Sequence, residues 1–128
     1  MKKNIILIED DEALCKELSP ILRDRGYKLS VFTDPELGLK ELSLNTYDLL
    51  LLDLKMPKLS GLDILKIARR KTLPVKIIII TGNPIIKKDG HTGIPGTTDE
   101  TKLSSADFVI NKPFDPEVLL STIDTLLR

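Results

Sequence analysis

Four short apolar runs in this chain each lead into a residue that can handle phosphate or a metal: IILI into Glu9 and Asp10, LLLL into Asp53, IIII into Thr81, and FVI, after Asn111, into Lys112. Short runs with little polar alternation are the pattern of strands buried on both faces, as a parallel sheet requires. Open α/β sheets bind their ligands outside the C-terminal ends of such strands. The pattern therefore predicts that three carboxylates, a hydroxyl and an ammonium meet along one edge of one sheet.

Stretches of helical period lie between these runs. The coarse reading is strand 4–9, helix 12–25, strand 28–32, helix 35–44, strand 48–53, helix 61–71, strand 76–81, an irregular segment, strand 107–111 and helix 116–127. A βα repeat of this kind builds a parallel sheet with helices on both faces. The predicted fold is α/β and flavodoxin-like: a doubly wound, five-stranded parallel sheet in the order 2-1-3-4-5, the fourth helix short or replaced by loop. Asp34-Pro35-Glu36 and Asp115-Pro116-Glu117 each set an N-cap, an N1 proline and a first-turn carboxylate in order. Ser60 with Asp63 resembles a capping box, ahead of a stripe of Leu62, Leu65, Ile67 and Ala68. Pro20 falls inside the first helix and predicts a bend or break there. From Gly82 to Ser104, Pro84, Gly90, Gly93, Pro95 and Gly96 interrupt any continuous helix, although Thr97 and Glu100 would suit a short one near 98–105.

A length of 128 residues suits one core of ordinary size, and the prediction is a single domain over 1–128. Nineteen Lys and Arg balance nineteen Asp and Glu, so no net field draws the chain to nucleic acid or to an anionic membrane. The apolar stretch in MKKNIILIED is too short for a signal-peptide core or a membrane span, and the expected location is the cytoplasm. The single cysteine, Cys15, reads as a small buried apolar side chain. The single histidine, His91, falls in the irregular segment and reads as solvated.

With strands one and three adjacent, Glu9, Asp10 and Asp53 converge where the strand order reverses. Like charges so close repel and require a cation, and hard oxygen ligands with room for water suit Mg²⁺. An acidic residue after a strand can also simply cap the next helix, which is the expected role of Asp11 or Glu12. Asp53 differs, because Leu54-Lys55-Met56-Pro57 follows as loop and offers no obvious backbone amide to cap. Thr81 and Lys112 add a hydroxyl and a cation, the groups that hold and neutralise phosphoryl oxygens. Lys112 precedes Pro113, and a cis bond there has a modest cost and would aim the lysine back over the strand ends. Singly, each of these is an ordinary turn residue; the set carries the reading.

IILIEDD, LLLLDLKMPKLSG, IIIITG and ADFVINKPF resemble the sequence blocks of the response-regulator receiver domain of two-component signalling, over essentially the whole chain apart from 83–104. The resemblance implies a phosphoacceptor, Asp53, that takes a phosphoryl group from a sensor histidine kinase or a histidine phosphotransfer protein. It implies Mg²⁺ held by Asp10 directly, by Glu9 through water, by Asp53 and by the backbone carbonyl of Lys55. Thr81 and Lys112 would hold phosphoryl oxygens, Gly82 would leave the approach open, Gly61 would be the loop glycine, and the side chains at Lys55 and Asn83 would tune hydrolysis of the acyl phosphate. The domain would not be an enzyme beyond its own phosphorylation and slow dephosphorylation. Its partners would be the kinase and a downstream protein effector or fused output domain, with no direct nucleic-acid contact. The family often carries an aromatic residue three before the lysine as part of its switch, and here that position is Val109, beside Phe108. The segment in place of a regular fourth helix reads equally as a tolerated insertion or a docking loop.

An alternative of another class is a receiver-like adaptor that is never phosphorylated and acts by binding alone. A haloacid-dehalogenase-type hydrolase would need a second aspartate where Lys55 stands, and a P-loop nucleotidase would need a GxxxxGK[ST] run that is absent. No DNA-binding segment follows Arg128, so the expected molecule is a stand-alone receiver, or the receiver part of a longer protein.

Overall fold

The computed structural model describes residues 2–82 and 105–128. In chain order the elements are β1 (Asn4–Ile8), α1 (Glu12–Asp24), β2 (Lys28–Phe32), α2 (Pro35–Leu44), β3 (Leu49–Asp53), α3 (Gly61–Arg70), β4 (Lys76–Thr81), β5 (Phe108–Asn111) and α4 (Pro116–Leu126). The five strands are parallel and ordered β2-β1-β3-β4-β5. This is the doubly wound, flavodoxin-like α/β sheet expected from the apolar runs, with element ends shifted by at most one residue. The irregular segment, its short helix near 98–105, Asn83 and His91 lie outside the described residues.

Alternation along the strands divides the core in two. Ile5, Leu7, Leu49, Leu51, Ile78 and Ile80 pack on one face with Leu18 and Leu22 of α1 and Leu119 and Ile123 of α4. Ile6, Ile8, Leu50, Leu52, Ile77 and Ile79 pack on the other with Leu42 of α2 and Ile64, Leu65 and Ala68 of α3. Full burial of each Leu or Ile contributes about 1.5–3 kcal/mol, and the three central strands carry almost nothing else.

Helix starts follow the predicted caps. Asp11, Asp34, Ser60 and Asp115 each accept at least one first-turn backbone N–H. At Pro20, of the bend or break expected, the break is absent, and α1 runs on to Asp24. Pro20 and Lys16 are both exposed, so the Lys16 carbonyl that loses its N–H partner is free to be hydrated.

Candidate acidic phosphoacceptor site

The switch between β1 and β3 brings the C-terminal ends of these strands side by side, with Ile8 opposite Leu52 in register. One oxygen from each of Glu9, Asp10 and Asp53 then lies within 4.8 Å of the others. Period two places Asp53 on the same sheet face as Leu49 and Leu51, and Lys112 continues the alternation of Ile110 on that face. The Lys112 ammonium accordingly reaches across β4's end, 2.6 Å from Glu9 Oε1 and 3.9 Å from Asp53 Oδ1. The Lys112–Pro113 peptide is cis.

Thr81, fully buried, ends β4, and its carbonyl accepts the Lys112 backbone N–H at 2.7 Å. Gly82 borders the site, where a Cβ would lie 3.9 Å from Lys112 Cδ. Lys55 follows in the turn, and its amide donates to Asp53 Oδ1 at 3.3 Å. That bond corrects the expectation that the loop after β3 leaves Asp53 no amide, because the turn folds Lys55 N–H back onto the strand end. Asp11 behaves as expected and caps α1 through Ala13 and Leu14 N–H.

Burial pushes the Asp53 carboxyl up to about 8, reinforced by a hydrogen bond and the charge of Glu9, while Lys112 pulls the other way. For Lys112 itself burial lowers the value, but the Glu9 hydrogen bond and the nearby carboxylates outweigh it and hold the ammonium above its ordinary range. Cys15 lies below this cluster, its thiol donating to the Glu9 carbonyl at 3.5 Å. Burial first, and the surrounding acids second, push that thiol up to about 11, so it is an inert packed side chain at neutral pH.

Two features escaped the sequence reading. One is the pairing of Glu9 with Lys112, for which the alternation of buried positions is the signal. Gly61 was named only by resemblance, and its physical reason is contact. A Cβ on Gly61 would sit 2.0 Å from the Asp53 carbonyl oxygen, so α3 can start against the end of β3 only through a glycine. Val109 packs, partly buried, on the face shared with Ile79, while Phe108 is 45% exposed. No aromatic therefore occupies the position three before Lys112.

The set fits a hard divalent cation. Three oxygen donors stand close, two of them on buried residues, and among the described residues a single ammonium stands against them.

Residues 5–124 match the response regulator receiver domain family. The response regulator ArlR of Staphylococcus saprophyticus is 37% identical over 125 residues, 97% of this chain and 52% of that protein. The transcriptional regulatory protein FixJ of Bradyrhizobium diazoefficiens is 29% identical over 127 residues, 99% of this chain and 58% of that one. The chain thus spans about half the length of the curated relatives it matches. Among solved structures, the response regulator TrrA of Thermotoga maritima, in complex with Mg²⁺ and BeF, is similar at TM-score 0.80 with 27% identity, covering 99% of this chain and 100% of that one. The chemotaxis protein CheY4 of Vibrio cholerae shares the fold at TM-score 0.81 with 23% identity, over 99% and 100% of the two chains. Fold, acidic cluster and sequence agree, and the chain belongs to the response regulator receiver domain family.

Proposed function

We propose that residues 1–128 form one receiver domain whose Asp53 accepts a phosphoryl group from the phosphohistidine of a sensor histidine kinase or a histidine phosphotransfer protein. The observation that carries this reading is the meeting of Asp53 with Glu9, Asp10 and Lys112 at the sheet's switch point. An Asp53 oxygen attacks phosphorus in line. The P–O bond forms as the P–N bond breaks, and the electron pair goes to the imidazole nitrogen, which takes a proton. Lys112 leaves Glu9 to neutralise an equatorial oxygen, and the Thr81 hydroxyl donates to another. Asp10, Asp53, the Lys55 carbonyl and, through water, Glu9 would hold Mg²⁺. When bound, the ion offsets charge on the carboxylates and the phosphoryl oxygens. Domains of this kind signal to a protein effector or a fused output domain through a surface change, in the cytoplasm. Among the described residues no helix is long and apolar enough to cross a membrane.

Incubation with acetyl phosphate or phosphoramidate and Mg²⁺ is expected to add one phosphoryl mass, and Asp53→Asn to abolish it. A label that survives Asp53→Asn moves the acceptor elsewhere. No label on the unaltered protein leaves binding alone as its activity.

A further inference from the structure

The rim opposite Asp53 carries a cleft of about 780 Å³, wrapped around the N-terminal half of β2. This strand is one edge of the sheet. Lys28 N–H donates to the Lys3 carbonyl and Glu9 N–H to the Phe32 carbonyl, so residues 28 and 32 turn their backbone toward β1. Parallel pairing alternates, which leaves the N–H and C=O of Leu29 and Val31 facing away from the sheet. Among the described residues their only partner is the Arg23 guanidinium, a marginal 3.4 Å from the Leu29 carbonyl.

The charges around this edge are one-sided. Lys2, Arg23 and Lys28 line the cleft, and among the described residues none of them is in an ion pair. The one acid in the lining, Glu41, already accepts from the Tyr47 hydroxyl and from Asn45 Nδ2. The ring of Tyr27 flanks the strand with its hydroxyl committed to Asp124, so it presents apolar surface to the cleft.

We propose that the β2 edge is a docking site for an acidic, extended peptide segment of a partner protein. The segment adds as a sixth strand through the backbone groups of Leu29 and Val31, and its carboxylates meet Lys2, Arg23 and Lys28. Strand addition gives main-chain hydrogen bonds that are indifferent to sequence, and flanking charge then selects the acidic partner. A lysine at an edge also discourages sheet-to-sheet aggregation, but that role calls for no cleft and no cation on the other side of the strand, where Arg23 sits.

The test uses a short, blocked peptide rich in glutamate and valine, with a counterpart in which lysine replaces glutamate, titrated into the full chain and followed by amide NMR and hydrogen exchange. The acidic peptide is expected to shift the Leu29 and Val31 amides and slow their exchange. The Lys28→Glu and Arg23→Glu variants, both at exposed positions, are expected to weaken it about tenfold each, with phosphorylation of Asp53 unchanged. Equal binding of the basic peptide, or binding without protection of Leu29 and Val31, overturns the proposal. So does pyrophosphate that competes fully with the peptide and binds as well alone, which makes the cleft a small-anion site. The site is independent of the reading of Asp53, since neither outcome bears on the acyl phosphate.

Discussion

The carboxylates at the two rims of this sheet are held on opposite electrostatic terms. Along the N-terminal rim, beneath β3, β4 and β5, the carboxylates are satisfied. Asp48 accepts the Asn4 N–H at 2.7 Å, and Asp107 accepts the Ile77 N–H and pairs with Arg69 at 3.0 Å. Arg69 also donates to the carbonyls of Ser105 and Val75. At the C-terminal rim, among the described residues, three carboxylates face one ammonium, and Glu9 and Asp53, only 1% and 5% exposed, cannot turn to water instead. The difference separates what holds the fold from what the fold is for. Carboxylates already satisfied hold the fold, and carboxylates short of positive charge are completed from outside.

The sharpest way to break this division is to disturb the crowded rim without touching a charge. Gly61→Ala sets a methyl 2.0 Å from the Asp53 carbonyl oxygen, backbone that cannot swing aside. The helix must retreat, at an expected cost of about 3 kcal/mol in denaturant unfolding, the upper end for overpacking. Because Asp53 moves with the strand end, phosphorylation by acetyl phosphate is expected to slow as well. An unchanged midpoint and rate would mean that α3 does not set the position of Asp53. On the matched rim, Arg69→Ala removes one side chain that serves two carbonyls and a carboxylate, with an expected cost of about 2 kcal/mol. Its phosphorylation rate is expected to stay put, since Arg69 lies at the far end of the strands. A loss of rate equal to that of Gly61→Ala would erase the distinction between the rims.

Much of this was legible in the residues. Strands whose every position is buried have to be central in a parallel sheet, so IILI, LLLL and IIII put Glu9, Asp53 and Thr81 at one edge of it. The caps were legible because Asp-Pro-Glu and Ser-x-x-Asp act locally. What was not legible depends on distances between elements. Nothing in the spacing of Gly61 says that α3 begins in contact with β3, and nothing beside Pro20 in the chain says that its turn of α1 faces solvent. The Lys112–Glu9 pair joins residues 103 apart, and only the register of the sheet brings them into contact.

The unmatched rim also has a titration signature. Asp53 is pushed from 3.8 up to about 8 in the metal-free protein, chiefly by burial and then by Glu9. A carboxyl whose folded value is raised contributes stability that is complete below its unfolded value and is lost as pH rises through the folded one. The metal-free domain is therefore expected to lose stability from about pH 4 upward until the loss levels off above about pH 8. Mg²⁺ binds the ionised carboxylate, so below that value binding has to expel a proton and is weakened tenfold for each unit. The rise in melting temperature caused by a fixed, millimolar-scale Mg²⁺ concentration is thus expected to be small near pH 6 and to grow to a plateau above about pH 8. Asp53→Asn removes the titrating group, and with it both the slope of the metal-free protein and the pH dependence of the Mg²⁺ effect. If the metal-induced rise is the same at both ends of that range in the unaltered protein, the carboxylate is already ionised. The C-terminal rim is then no more strained than its opposite, and the contrast between them is one of composition alone.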